Sequence, residues 1–123
     1  MTTALILFAH GARDAAWAQS LRRVQAAIRQ QAPDRLVELA FLEFMTPTLA
    51  ECVADLAGQG ARRIVIVPMF IAQGGHLKRD LPVMLDELRS TYPDIGFSLC
   101  TAIGENEAVV QAMAAAALQE AGL

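Results

Sequence analysis

Four times along this chain a short, continuous apolar run is followed by a stretch whose apolar residues recur every three or four positions. Alternation of this kind leaves few folds open. A continuous run reads as a strand covered on both faces, and the spaced pattern reads as an amphipathic helix. Residues 4–9 (ALILFA) open the series. Asp14 is the predicted cap of a helix with the stripe Trp17, Leu21, Val24 and Ile28, stopped by Pro33. Residues 36–42 (LVELAFL) form the second predicted strand. Thr46 is the predicted cap of the next helix, with Pro47 at its first position, Leu49, Val53 and Leu56 turned inward, and Gly58 and Gly60 at its end. Residues 63–69 (RIVIVPM) are the most hydrophobic strand and hence the predicted centre of a sheet. Asp80 is the predicted cap of a third helix with Leu81, Leu85, Leu88 and Tyr92 on one face, closed by Pro93. Residues 95–100 and 105–121 supply the last strand and the last helix.

Strand and helix in strict alternation predict an α/β domain, with each crossover long enough to return parallel. The expected fold is a flavodoxin-like half: a four-stranded parallel sheet in the order 2-1-3-4, with helices on both faces. No linker or change of composition divides residues 1–123, so a single domain is expected. Sheets of this kind bind ligands beyond the carboxyl ends of their strands, where the strand order reverses.

Composition excludes several classes. A hydrophobic fraction of 54% rules out a disordered chain, and a net charge of −3 argues against a nucleic-acid partner. The longest apolar stretch, residues 64–72, is too short to cross a bilayer and contains a proline. Residues 4–9 have no preceding Lys or Arg, so no signal peptide is expected. Cys52 and Cys100 are far apart without a CxxC pattern, and read as a reduced thiol pair of a cytoplasmic protein.

The chain has only two histidines, and both follow strands. His10 comes directly after the first, in AHGARD; His76 comes after the third, through QGGH. In a sheet ordered 2-1-3-4 those strands are neighbours, so both imidazoles reach one crevice. Imidazole ligates Zn, Co, Ni and Fe and also serves as a general base near neutral pH. Two imidazoles leave a metal with open positions, which suits a metal in transit better than a structural one. Glu43, just past the second strand, either joins them or alternates outward. Arg13, Lys78 and Arg79 lie at the same edge and read either as a local basic rim suited to carboxylates or phosphates, or as an ordinary helix-entry surface. Phosphate-loop and GxSxG spacings are absent.

Two stretches carry a family resemblance. LFAHGARD resembles the HGSRD segment that opens the sirohydrochlorin chelatases of the CbiX type, with Ala12 where that family usually has serine. Residues 68–82 (PMFIAQGGHLKRDLP) resemble the family's P-x-F-x-x-x-G-x-H-x-x-x-D-[IL]-P segment. Phe41, Glu43 and Pro47 match an F-x-E followed shortly by proline, so the likeness covers almost the whole chain.

The resemblance implies ATP-independent insertion of a divalent metal (Co2+ foremost, otherwise Fe2+ or Ni2+) into sirohydrochlorin, in cobalamin or sirohaem biosynthesis. It implies that His10 and His76 bind the metal and that Glu43 belongs to the catalytic set. Arg13, Lys78 and Arg79 then meet the carboxylates of the ring. The metal enters as substrate, and no permanently bound cofactor is expected. Larger relatives carry two such domains around a cleft, so the resemblance also implies a homodimer of the short form. The alternatives are a histidine phosphatase, disfavoured because Ala9 precedes His10 where an arginine is needed, a non-catalytic metal-binding module, and a plain interaction domain.

Overall fold

A computed structural model describes residues 2–123, apart from the side chain of His76. Its elements alternate as expected: β1 (Thr3–Ala9), α1 (Gln19–Gln31), β2 (Leu36–Phe41), α2 (Leu49–Gly58), β3 (Arg63–Pro68), α3 (Gly75–Thr91), β4 (Gly96–Leu99) and α4 (Glu107–Glu120). The strands form one parallel sheet in the order β2-β1-β3-β4. Leu7 pairs with both Leu39 and Val67, so β2, β1 and β3 run level toward the carboxyl edge.

Each face of the sheet has its own core, because successive side chains on a strand point to opposite sides. One face carries Ile6, Phe8, Ile64 and Ile66, packed against the apolar stripes of two helices: Leu49, Val53 and Leu56 of α2, and Leu77, Leu81, Leu85 and Leu88 of α3. The other carries Leu7, Ala9, Val37, Leu39 and Phe41 beneath Ala18, Leu21 and Ile28. At the open edge of β2, the Gln25 and Arg29 side chains donate to the Val37 carbonyl at 2.8 and 3.0 Å. That occupies an acceptor which an edge strand otherwise leaves free.

Three helix starts differ from expectation. Asp14 caps a short 3-10 turn, Ala15–Ala18, and α1 begins only after it; Trp17 and Val24 of the predicted stripe stay exposed. The second cap is Thr48, not Thr46. Its hydroxyl accepts from the Glu51 N–H, and the Glu51 carboxylate accepts from the Thr48 N–H, a reciprocal box that outweighs a Pro-first start. The third helix starts after Gly74 rather than Asp80, which puts Pro82 inside it. Burial of Leu77 extends the Leu81, Leu85, Leu88 stripe by one turn, and this explains the early start. In consequence His76, Lys78 and Arg79 stand in the first turns of α3, not in a loop.

Candidate functional site

The candidate site lies where the chain leaves β1, β2 and β3. The ladder continues past the strand ends: Leu42 N–H donates to the Ala9 carbonyl, Glu43 N–H to the His10 carbonyl at 3.0 Å, and Met69 N–H to the Phe8 carbonyl. His10 and Glu43 are thus tied together through their backbones at one end of the sheet. Between them sits Gly11, at φ +86°, where a Cβ would collide with the Glu43 carbonyl. Only glycine admits both the left-handed turn and that approach.

His10 is exposed, and its ring rests on Phe70, with centroids 4.6 Å apart. Phe70 is buried and meets Phe8 edge-on at 6.2 Å, so the imidazole stands on the core. Phe70 closely follows the end of β3, the H-bonded neighbour of β1, on the way to α3 and His76. The fold therefore brings the His10 loop and the start of α3 to the same edge.

The rim residues are only partly brought together. The Arg13 guanidinium lies 4.7 Å above the Phe44 ring, beside the Glu43 loop. Arg79 turns back along α3, its Nε donating to the Gly75 carbonyl at 3.3 Å, and Lys78 is exposed on the same helix. All three cations are free of salt bridges among the described residues, which leaves them available to an anionic ligand.

Sequence reasoning missed the aromatic and apolar part of this edge. Phe44 is 57% exposed at φ +66°, in a tight turn closed by Met45 N–H to the Glu43 carbonyl. A bulky residue at positive φ is strained, and such strain gathers at functional sites. Ile71 is 74% exposed beyond Phe70. Phe44, next to Glu43, and Ile71, next to Phe70, thus add exposed apolar surface to the segments that carry the candidate site. The Glu43-Phe44-Met45 turn gives no sequence signal for this, since only the completed fold leaves Phe44 outside.

His10, Phe44 and Ile71 are exposed at this edge. Three hollows lie elsewhere, between α2 and α3, at the amino ends of β1 to β3, and beside the outer edge of β2, and neither His10 nor Glu43 lines them. Among the described residues no three His, Cys, Asp or Glu side chains converge on a metal position. No helix among them is long and apolar enough to cross a membrane.

Known proteins share this fold and sequence pattern. The CbiX family model matches residues 4–120. A sirohydrochlorin cobaltochelatase of Methanococcus aeolicus is 35% identical over 82 residues, and one of Methanopyrus kandleri is 37% identical over 82 residues. Each match covers 67% of this chain and 57% of the relative, so the chain aligns with little more than half of their length. Among solved structures, a CbiX protein from Marinobacter aquaeolei VT8 is similar at a TM-score of 0.86 and 28% identity, covering 98% of both chains. SirB from Bacillus subtilis, solved with Fe3+, is similar at a TM-score of 0.82 and 27% identity, covering all of this chain and 48% of SirB. The SirB of its subspecies spizizenii, in complex with cobalt, gives 0.80 at 29% identity over 94% of this chain and 49% of that one. The chain belongs to the CbiX family.

Proposed function

We propose that this chain is a cytoplasmic chelatase that inserts a divalent metal, cobalt foremost, into sirohydrochlorin without ATP. The observation that carries the reading is the adjacency of β1 and β3, which brings the His10 loop and the His76 helix start to one carboxyl edge. The sirohydrochlorin cobaltochelatase relatives and the cobalt-bound SirB support the reaction class.

In this mechanism the metal arrives as substrate on His10 and His76. Two imidazoles hold it without closing its coordination sphere, so ring nitrogens replace protein and water one at a time. Two pyrrole N–H protons must leave as the metal enters. Glu43, whose backbone is fixed beside His10, accepts one, and an imidazole released by the metal accepts the other. Phe44 and Ile71 offer apolar surface to the macrocycle, while Arg13, Lys78 and Arg79 meet its carboxylates. The protein contributes chiefly by holding metal and ring in reacting geometry.

An open edge covers only one side of a macrocycle, whereas ligand sites usually bury most of the ligand's surface. We therefore infer that a second copy of the chain supplies the other wall, in a homodimer with its carboxyl edges facing a shared cavity.

The test is spectrophotometric. The purified chain, given sirohydrochlorin and Co2+, should metallate the ring well above the spontaneous rate. Cobalt binding with no effect on the rate would instead mark a metal-binding module.

A further inference from the structure

An arginine with carboxylates close at hand ordinarily pairs with one of them. Arg13 does not. Asp14 follows it directly, but that carboxylate caps the Ala15–Ala18 turn by accepting from the Ala16 N–H at 3.0 Å. Glu43 precedes Phe44, the residue on which Arg13 rests, and it too makes no salt bridge among the described residues. The guanidinium carbon stands instead 4.7 Å from the centre of the Phe44 ring, inside the ~6 Å of a cation–π contact. Among the described residues the Arg13 side chain enters neither an ion pair nor a hydrogen bond. A ring face takes up no N–H group. The whole donor fork of Arg13 therefore stays free for an incoming carboxylate.

The backbone under Phe44 holds that ring in place. Phe44 is the centre of a three-residue turn at φ +66°, closed by the Met45 N–H donating to the Glu43 carbonyl at 2.8 Å. A turn of this kind is rare, and strained for a bulky residue. Burial does not offset the strain, since Phe44 is 57% exposed. Both flanks of the turn are anchored: the Glu43 N–H donates to the His10 carbonyl at 3.0 Å, and the Phe41 N–H to the Pro47 carbonyl at 2.9 Å. On the facing loop, Gly11 approaches the Glu43 carbonyl so closely that no Cβ fits between them. Arg13 and Phe44 thus stand on two loops locked to one another, and the ring fixes where the guanidinium sits.

We propose that Phe44 is a positioning residue for Arg13, its ring face orienting the guanidinium for a bidentate grip on one peripheral carboxylate of the tetrapyrrole. The inference rests on the chelatase reading above and adds a role to it. A guanidinium already restrained on a ring has less freedom to lose when the carboxylate arrives, so preorganisation raises affinity for the substrate. With Arg13 on the ring, the Glu43 carboxylate beside it also stays unpaired. Phe44 acts on the substrate through Arg13, over and above any apolar surface it offers. Leucine at position 44 separates the two effects, because it keeps an apolar side chain and offers no π face.

The test measures equilibrium binding of metal-free sirohydrochlorin, followed by its own absorbance, beside steady-state Co2+ insertion by the 123-residue chain. Phe44→Leu should weaken ring binding and raise KM for sirohydrochlorin about three- to tenfold, with kcat held within about twofold. Phe44→Tyr, which keeps the ring face, should bind as the wild type does. Arg13→Gln should weaken binding at least as much as Phe44→Leu, and adding Phe44→Leu to it should cost under about twofold more. Urea melts establish that each variant is folded. Wild-type binding by a folded Phe44→Leu overturns the proposal. So does a double variant whose further loss exceeds that twofold limit, since Phe44 would then act without Arg13. A wild-type chain that binds no sirohydrochlorin overturns the chelatase reading itself, and this inference with it.

Discussion

The imidazole of His10 lies against the ring of Phe70, centroids 4.6 Å apart and planes tilted by 39°. Phe70 also packs edge-on against Phe8, and its carbonyl accepts from Gly104. The Phe70 ring thereby joins the candidate metal ligand to the core, and its backbone carbonyl ties in Gly104 ahead of α4. Phe70→Leu keeps the apolar volume roughly but removes the flat support. Cobalt affinity should fall by less than tenfold, under ~1.4 kcal/mol, with the fold retained. Isothermal titration with Co2+ checks this, and an unchanged affinity would mean that the contact does not position the imidazole.

Gly11→Ala should act on stability and site together. A Cβ at φ +86° must displace the Glu43 carbonyl, which moves the Glu43 loop away from His10. The expected loss is about 2 kcal/mol, seen as a lower urea midpoint at unchanged slope. Wild-type stability in this variant would show that the loop yields freely.

At neutral pH Thr48→Ala should cost about 1 kcal/mol through loss of the helix cap, without lowering cobalt affinity. The Thr48 backbone N–H, and then its hydroxyl, hold the Glu51 carboxyl below its ordinary 4.5. A depressed carboxyl contributes stability above its unfolded value and loses it as pH falls through the folded one. The stability gap between wild type and Glu51→Gln should therefore narrow as urea melts are repeated below pH 4.5. A gap that widens in acid would contradict the capping box.

The two thiols should differ sharply. Burial, with the Glu38 and Asp55 charges adding to it, pushes the Cys52 thiol up to about 12, whereas Cys100 is exposed. Since the thiolate is the reactive form, iodoacetamide at about pH 8 should label Cys100 alone until the chain unfolds. The folded value lies above the ordinary 9.0, so the contribution of Cys52 to stability is complete below pH 9.0 and is lost as pH rises toward about 12. Mass spectrometry of labelled peptides, and melts of wild type against Cys52→Ala above pH 9.0, measure both effects.

How far the sequence could be read follows from what each signal contains. Strands stood out as apolar runs because buried parallel strands must be apolar on both faces. The Thr48-x-x-Glu51 box was equally visible, but Thr46-Pro47 offered a competing start just before it. Asp80 imitates a helix cap, and only the burial of Leu77 shows where α3 begins. His10 and Glu43 could be placed at the carboxyl edge from strand order alone. Their support by Phe70, and the exposure of Phe44, depend on contacts between distant segments, which no local pattern encodes. α4 was legible as a helix, yet an apolar pattern does not say whose surface it covers.

Whether His10 and His76 together present the metal to the ring is decided by the rate of cobalt insertion into sirohydrochlorin. Wild type, His10→Ala, His76→Ala and the double variant are compared, each corrected for spontaneous metallation. Unchanged far-UV circular dichroism should accompany each variant. Either single substitution should bring the rate close to background, and the double variant should be no worse than the singles. A double variant that inserts cobalt at the wild-type rate would contradict the shared role of the two histidines.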